Sequence, residues 1–244
     1  MKNVDMQKRL FNKGFDKDET EKSKRCKESA DVRIEKLNGL MRDLSGKIVL
    51  NLGCGNGDFL DEKFIMKNRL IGIDISMNSL KNAVKYGYVP VLSDAETGLP
   101  LKDSSMDVVV ASEVLEHIVS TDLFLFEINR VLKKDGLLFL TTPNINTILS
   151  YIMMIFLDMP PYRSARYKSP HVKDFTRKTL GIALTSNGFV IKEFVGSAIF
   201  IPYLGYFLKK TCDLIPRMGE TLIVKAVKKE SLSVPDMDMR LFLS

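Results

Sequence analysis

Ile48 to Asp74 reads IVLNLGCGNGDFLDEKFIMKNRLIGID, and this stretch decides the fold. An apolar run (Ile48, Val49, Leu50, Leu52) meets three alternate glycines, Gly53, Gly55 and Gly57. A helical pattern follows, then a second apolar run (Leu70, Ile71, Ile73) closed by Asp74. The order predicts a strand, a glycine turn, a helix and a parallel strand. Glycine suits such a turn because the backbone takes positive φ there and a ligand can approach with no Cβ in the way. Asp74 then stands beside the turn at the C-terminal edge of the sheet, where a carboxylate can accept both hydroxyls of a ribose. These features imply a nucleoside-binding edge; a tight turn with no ligand is the alternative.

The glycine spacing narrows the nucleoside. A dinucleotide fingerprint runs G-x-G-x-x-G, its third glycine allowing helix and strand to pack closely around a pyrophosphate. Here the spacing is G-x-G-x-G, and Asp58 stands at the position of that third glycine. An anion at the mouth of a helix repels a pyrophosphate and suits a cationic ligand. The stretch resembles the first motif of the class I S-adenosylmethionine (SAM) methyltransferases, and Leu70 to Ser76 resembles their second. The resemblance implies SAM as the cofactor, with Gly53, Cys54, Gly55, Gly57, Asp74 and Ile75 around it.

Composition sets looser bounds. With 244 residues, 45% hydrophobic and 27% charged, the chain suits one full α/β domain with additions. A net charge of +6 suggests an anionic partner or surface, yet solvated lysine faces explain most balances of this size. Cys26, Cys54 and Cys212 form no CxxC pair, so neither a zinc cluster nor a disulfide framework is indicated, and a reducing cytoplasm is the expected setting. Cys54 lies inside the glycine turn, where a small side chain fits. No signal pattern opens the chain and no apolar run approaches bilayer-spanning length.

Residues 1–30 are polar and of mixed charge, and read as a loose arm. From Asp31, the apolar residues Leu37, Leu40, Met41 and Leu44 recur at helical spacing, predicting a covering helix. Ser76 is placed to cap a helix that Gly87 ends, and Tyr88 to Leu92 forms a third strand. Asp94 follows, as a turn aspartate or as an acceptor for an exocyclic amine. The most specific segment is DAETGLPLKDSSMDVVVASEVLEHI, Asp94 to Ile118: a loop docking Leu99 and Leu101, then a β-branched buried strand from Met106. The order LP-x-x-D-x-x-M-D-x-V followed by E-V-L-E-H-I resembles the small-molecule branch of the same family, which includes the quinone-biosynthesis methyltransferases. The resemblance covers residues 46–143 and adds Asp94, Ala95, Ser112 and Glu113 to the implied cofactor set.

Thr121 to Leu132 then reads as a helix with Leu123, Phe126 or Leu125, Ile128 and Leu132 inward, and Leu137 to Thr141 as the fifth strand. Thr176 to Asn187 supplies the last helix, and Phe189 to Val195 and Glu220 to Ala226 the last strands. Strands alternating with helices predict an α/β, doubly wound, Rossmann-like sheet. The resemblance implies seven strands, mostly parallel, with an antiparallel seventh between the fifth and sixth.

The expected division is an arm (1–30), a methyltransferase domain (31–230) and a tail (231–244). In the family, the connections at 145–178 and 197–219 build the wall and lid over the transferred methyl. Methyl transfer from a sulfonium needs no metal, and none is expected. An oxygen or carbon acceptor must lose a proton, and histidine is the usual base near neutral pH. The chain has two, His117 and His171, each readable as a base, a wall residue or a packing residue. Three functions remain open: methyl transfer to a small organic or lipid-like acceptor, methyl transfer to RNA held by the basic 162–178 segment with Tyr162 and Tyr167 stacking, and a non-catalytic subunit of this fold. The apolar insertions flanked by lysine and arginine allow peripheral membrane contact.

Overall fold

The computed structural model describes residues 24–156, 158, 171–201, 206–208 and 215–229. Seven strands form one sheet in the order β3-β2-β1-β4-β5-β9-β6: β1 (Ile48–Leu52), β2 (Arg69–Asp74), β3 (Val89–Leu92), β4 (Met106–Ser112), β5 (Leu132–Pro143), β6 (Phe189–Gly196) and β9 (Thr221–Lys228). All neighbours are parallel except β9, which runs antiparallel to both β5 and β6. This is the expected topology. It carries Gly53, Asp74, Asp94 and Ser112 to one edge of the sheet, because each follows or ends a parallel strand.

Alternate residues of the central strands feed two cores. Leu50, Leu52, Val109, Ala111, Leu138 and Leu140 face α4 (Thr121–Val131) and α6 (Arg177–Ser186), meeting Phe124, Leu125, Ile128, Leu180 and Leu184. Val49, Val108, Val110 and Phe139 share the opposite core with Leu37 and Met41 of α1 (Lys24–Met41), Phe64 of α2 (Glu62–Lys67) and Leu80 of α3 (Met77–Ala83). Each of these large side chains contributes about 1.5–3 kcal/mol by burial. Burial on both faces is why these strands read as continuous apolar runs.

Four local features depart from expectation. Helix α1 begins at Lys24, seven residues before Asp31, and takes in the end of the segment expected as a loose arm. Helix α2 does not continue the glycine turn. It begins at Glu62, where the Asp61 carboxylate accepts the N–H groups of Lys63 (2.8 Å) and Phe64 (3.4 Å), so Asp58 is an exposed loop residue and not an anion at a helix mouth. The inward face of α4 is Phe124, Leu125, Ile128 and Val131, while Leu123 and Phe126 are half-buried. The helix is gripped on several sides: Leu99 N–H donates to Glu127, and Asn129 Nδ2 donates to the Asn187 carbonyl, so polar as well as apolar residues are buried. The segment Lys133 to Gly136 is a bulge within β5, since Leu132 pairs with Met106 and Leu137 with Val108.

Of the two insertions, the first holds α5 (Ile148–Phe156), and the second holds β7 (Ile199–Ile201) and β8 (Tyr206–Leu208), which pair antiparallel as their aromatic and β-branched content favours. Arg163, Arg166, Lys168, Tyr162, Tyr167, Tyr203, Leu204, Lys209 and Lys210 lie outside the described residues, as does the tail from 230. Among the described residues, no helix is long and apolar enough to cross a membrane.

Candidate active site

The three glycines of the turn meet two different requirements. Gly53, Gly55 and Gly57 take φ of 62°, 54° and 80°. A Cβ on Gly53 would lie 2.6 Å from Val114 Cγ2, and one on Gly57 would lie 2.9 Å from the Ala83 Cα and 3.1 Å from the Tyr88 ring. Those two glycines serve packing. A Cβ on Gly55 would meet nothing within 4 Å, so this position faces open space at the sheet edge.

Asp74 ties the two halves of the opening motif together. Its Oδ2 accepts from the Gly55 N–H (2.9 Å) and its Oδ1 from the Ser76 N–H (2.8 Å). Burial pushes the carboxyl above its ordinary value, against the lowering effect of the Ser76, Gly55 and Ile75 backbone groups. The carboxylate has lone pairs left for two more donors, so the site fits the vicinal hydroxyls of a ribose. Ile75 is half-buried beside it. Cys54 is buried; its thiol sits where a Cβ on Gly72 would approach to 2.8 Å, and burial followed by the Asp74 charge pushes it up to about 12. A thiol held protonated is a packing group.

Asp94 ends up close by, since β2 pairs with β3 and the Ser93 N–H donates to the Asp74 carbonyl (3.2 Å). Its Oδ1 accepts from the Glu96 N–H (3.0 Å), a turn function that leaves Oδ2 for an amine. Ala95 is half-buried against the apolar core. Glu96 also bridges to the Val119 N–H, linking this loop to the one after β4.

Ser112 and Glu113 join a polar chain across β4 and β5. Ser112 Oγ lies 3.0 Å from Thr141 Oγ1, which donates to Glu113 Oε1 (3.2 Å), and Glu113 Oε2 pairs with Arg33 Nη1 of α1 at 2.9 Å. Glu113 holds φ of 57°, outside the range that non-glycine residues favour. Any contact of Glu113 with the cofactor is therefore shared with Arg33, a residue that nothing in the local sequence pattern points to. Asn51 was also missed. It is fully buried on β1, its Nδ2 donates to Tyr88 Oη (3.1 Å), and its Oδ1 has no hydrogen-bond partner among the described residues. One polar residue inside IVLNL was the available signal.

The two histidines, 54 positions apart, are neighbours. A 3-10 turn at Leu115–His117 follows β4, and the Glu116 carbonyl accepts the N–H groups of Val172 (2.8 Å) and Lys173 (3.2 Å), stitching the His171 segment onto the turn. The imidazoles meet edge to face with centroids 4.8 Å apart. Beneath them Glu116 is buried and accepts from Thr142 Oγ1 (3.1 Å). One ligand atom from each of Glu116, His117 and His171 falls within 4.8 Å of the others. Such a set can move a proton or hold a divalent cation of the kind imidazole and carboxylate favour, a possibility the expectation of no metal did not contain. Val114, which packs on Gly53, is three residues from His117, so the glycine turn and the histidine pair share one edge.

Residues 50–140 match the family described as a methyltransferase domain. The chain is 32% identical over 177 residues to the mitochondrial ubiquinone biosynthesis O-methyltransferase of Homo sapiens, covering 68% of this chain and 47% of that one. It is 29% identical over 133 residues to the ubiquinone biosynthesis O-methyltransferase of Pelagibacter ubique, covering 51% and 53%. It thus spans about half the length of these relatives. An S-adenosylmethionine-dependent methyltransferase of Mesorhizobium loti superposes with a TM-score of 0.59 at 16% identity, covering 81% of this chain and 99% of that one. The fold is that of the Rossmann-like SAM-dependent methyltransferases, and residues 50–140 carry the match to the methyltransferase-domain family. The cofactor of that class is SAM, and the cradle formed by Gly55 and Asp74 fits it.

Proposed function

We propose that the protein transfers a methyl group from SAM to a hydroxyl of a small organic or lipid-like acceptor. The observation that carries this reading is the contiguity of the Gly55–Asp74 cradle with the His117–His171 pair through Val114. The cofactor supplies an electrophilic methyl; the chain positions it and prepares the acceptor. Asp74 holds the ribose hydroxyls, Asp94 an exocyclic amine, and Gly53, Cys54, Gly57, Ile75, Ala95, Ser112 and Glu113 complete the surroundings. His117 or His171 takes the acceptor's proton. Positioning alone can contribute about 7–11 kcal/mol to such a transfer. The ubiquinone-biosynthesis relatives support an oxygen atom and a lipid-soluble acceptor.

Residues 31–230 would act as the methyltransferase unit, with the 145–178 and 197–219 insertions as the acceptor wall. The buried free thiol of Cys54 suits a reducing cytoplasm. Ile155 and Phe156, 71% and 76% exposed on α5, support peripheral membrane contact, through which a lipid-soluble acceptor would arrive. Of the basic segment invoked for RNA, the described cations are Lys173, Arg177 and Lys178, and Lys173 donates to Thr121 Oγ1, which makes that reading the weaker one. Incubating cell extract with the protein and methyl-labelled SAM, then separating organic-soluble, RNA and protein fractions, tests the proposal. Label in the organic fraction is expected; label in RNA overturns the acceptor class, and donor binding with no labelled product favours a non-catalytic subunit.

A further inference from the structure

Two side chains of α4 hold the loop that carries Asp94 and Ala95, although the helix is no part of the cradle at the glycine turn. Arg130 uses all five of its N–H groups. Two go to the Glu127 carboxylate, from Nε to Oε1 (2.7 Å) and from Nη2 to Oε2 (2.8 Å). Nη2 also donates to the Leu99 carbonyl (2.8 Å), and Nη1 donates to the Leu101 carbonyl (2.8 Å) and to Asp103 Oδ1 (2.5 Å). Glu127 completes the grip, its Oε2 accepting the Leu99 N–H at 2.7 Å. From Leu99 the restraint passes back to Asp94 along a short path. Gly98 takes φ of 105°, and a Cβ there would lie 3.5 Å from Glu127 Oε2, so the chain runs directly over that carboxylate. The Asp94 carbonyl then accepts from the Thr97 N–H (3.1 Å) and the Thr97 hydroxyl (3.0 Å), closing a turn against Gly98. On the other side of this turn Glu96 accepts the Val119 N–H, one residue before the Ser120 N-cap of α4. The loop is thus fastened beside both ends of one helix. That helix is a firm support: Phe124, Leu125, Ile128 and Val131 are buried, and the Lys228 ammonium of β9 donates to the Asn129 (2.6 Å) and Leu132 (2.8 Å) carbonyls at its C-terminus.

We propose that Arg130 and Glu127 are positioning residues for the cofactor, which act through the Asp94–Leu99 segment to hold the Asp94 carboxylate where it meets the exocyclic amine of the base. A binding group must be held to within about 0.5 Å to deliver its hydrogen bond in full, and Asp94 stands on a half-exposed turn that does not hold itself so closely. A planar guanidinium with donors in fixed directions sets the orientation of the loop as well as its distance from the helix, which a lysine ammonium does not. The inference rests on the amine-accepting role given to Asp94 under the proposed function, and it adds two residues that never touch the ligand.

Calorimetric titration of SAM into the full chain, for the parent, Asp94→Ala, Arg130→Lys and the double variant, tests it. Lysine keeps the charge and removes the fork. Asp94→Ala should weaken SAM binding by about tenfold or more, and Arg130→Lys by about fivefold. The double variant should match Asp94→Ala to within about twofold, because the fork acts only through that carboxylate. Glu127→Gln keeps an acceptor for the Leu99 N–H and loosens the grip on Arg130, so it should weaken binding in the same direction by less; paired with Asp94→Ala it gives the same cycle if Arg130→Lys does not fold. A purely structural Arg130 would lower Tm on substitution and leave the SAM dissociation constant of the folded variant unchanged, and that result overturns the proposal. Losses that multiply in the double variant overturn it as well, since they place the effect outside Asp94. An Asp94→Ala variant that binds SAM as the parent does removes the amine assignment and this proposal with it. Weakened binding in Asp94→Ala beside parental binding in Arg130→Lys removes this proposal alone.

Discussion

Substituting Gly55 and Gly57 separately should produce opposite phenotypes, although the two glycines stand two residues apart in one turn. Both hold positive φ, so an alanine at either costs about 1–2 kcal/mol in backbone strain. At Gly57 the new methyl would also lie 2.9 Å from the Ala83 backbone and 3.1 Å from the buried Tyr88 ring, neither of which can swing aside. Overpacking of that kind costs about 1–3 kcal/mol more. The total, about 2–5 kcal/mol, should lower Tm by on the order of 10 °C for a chain of this size, with SAM affinity of the folded fraction kept. At Gly55 the methyl meets no protein atom, so Gly55→Ala should lose only a few degrees, yet it enters the open space beside Asp74 that is proposed for the ligand. SAM affinity should fall at least about tenfold, or 1.4 kcal/mol, and further for Gly55→Val. Thermal denaturation and calorimetric titration of the pair decide the matter. A Gly55→Ala variant that binds SAM as the parent does, or a Gly57→Ala variant that melts as the parent does, refutes the division of roles.

Other expectations follow from the same geometry. Asp74→Ala should weaken SAM binding by about 10- to 150-fold, the worth of a charge-assisted hydrogen bond, in calorimetry on folded variant; an unchanged dissociation constant would remove the ribose assignment. His117→Ala should lower kcat by about 10²- to 10⁴-fold and abolish the ascending limb of the pH–rate profile while sparing SAM affinity, whereas normal turnover would exclude it as the base. Burial pushes the Glu127 carboxyl up, but hydrogen bonds from Arg130 (2.7 Å) and the Leu99 N–H (2.7 Å) outweigh it and hold the group below its ordinary value. Its contribution to stability is therefore full above the value of a free glutamate and is lost as pH falls through the lowered one. Denaturation midpoints of the parent and Glu127→Gln should converge in acid and diverge toward neutrality; a pH-independent gap would contradict this.

What the sequence made legible was whatever is local or periodic. The strand from Ile48, the cap at Ser76, the left-handed stop at Gly87 (φ 84°) and the last helix, bounded by Thr176 and Asn187, all depend on neighbours in the chain, and each stands where expected. The Leu99–Leu101 docking loop was visible too, but its fastening was not. Arg130 donates to the carbonyls of Leu99 and Leu101 from 29 to 31 residues away, and nothing local records that. Long-range placement accounts for the other gaps. The capture of Glu113 by Arg33, the buried Asn51–Tyr88 pair and the meeting of His117 with His171 each join separate elements. The start of α2 is not legible locally, because apolar spacing across 59–66 does not reveal that Asp61 is the residue that captures the first free N–H groups. In α4, periodicity places Leu125, Ile128 and Leu132 inward, as found, but also favours Leu123 and Phe126, which are half-buried, because contacts on several sides of the helix bury Phe124 and Val131 as well.

The central claim is that the edge formed by Gly53, Gly55 and Asp74 is a SAM site and not a dinucleotide site. Calorimetric titration of the full chain with SAM, and separately with NAD, tests it most directly. Saturable binding of SAM, competed by S-adenosylhomocysteine, with no heat from NAD, is the predicted result. Binding of NAD in its place, or no binding of SAM by folded protein, would contradict the account.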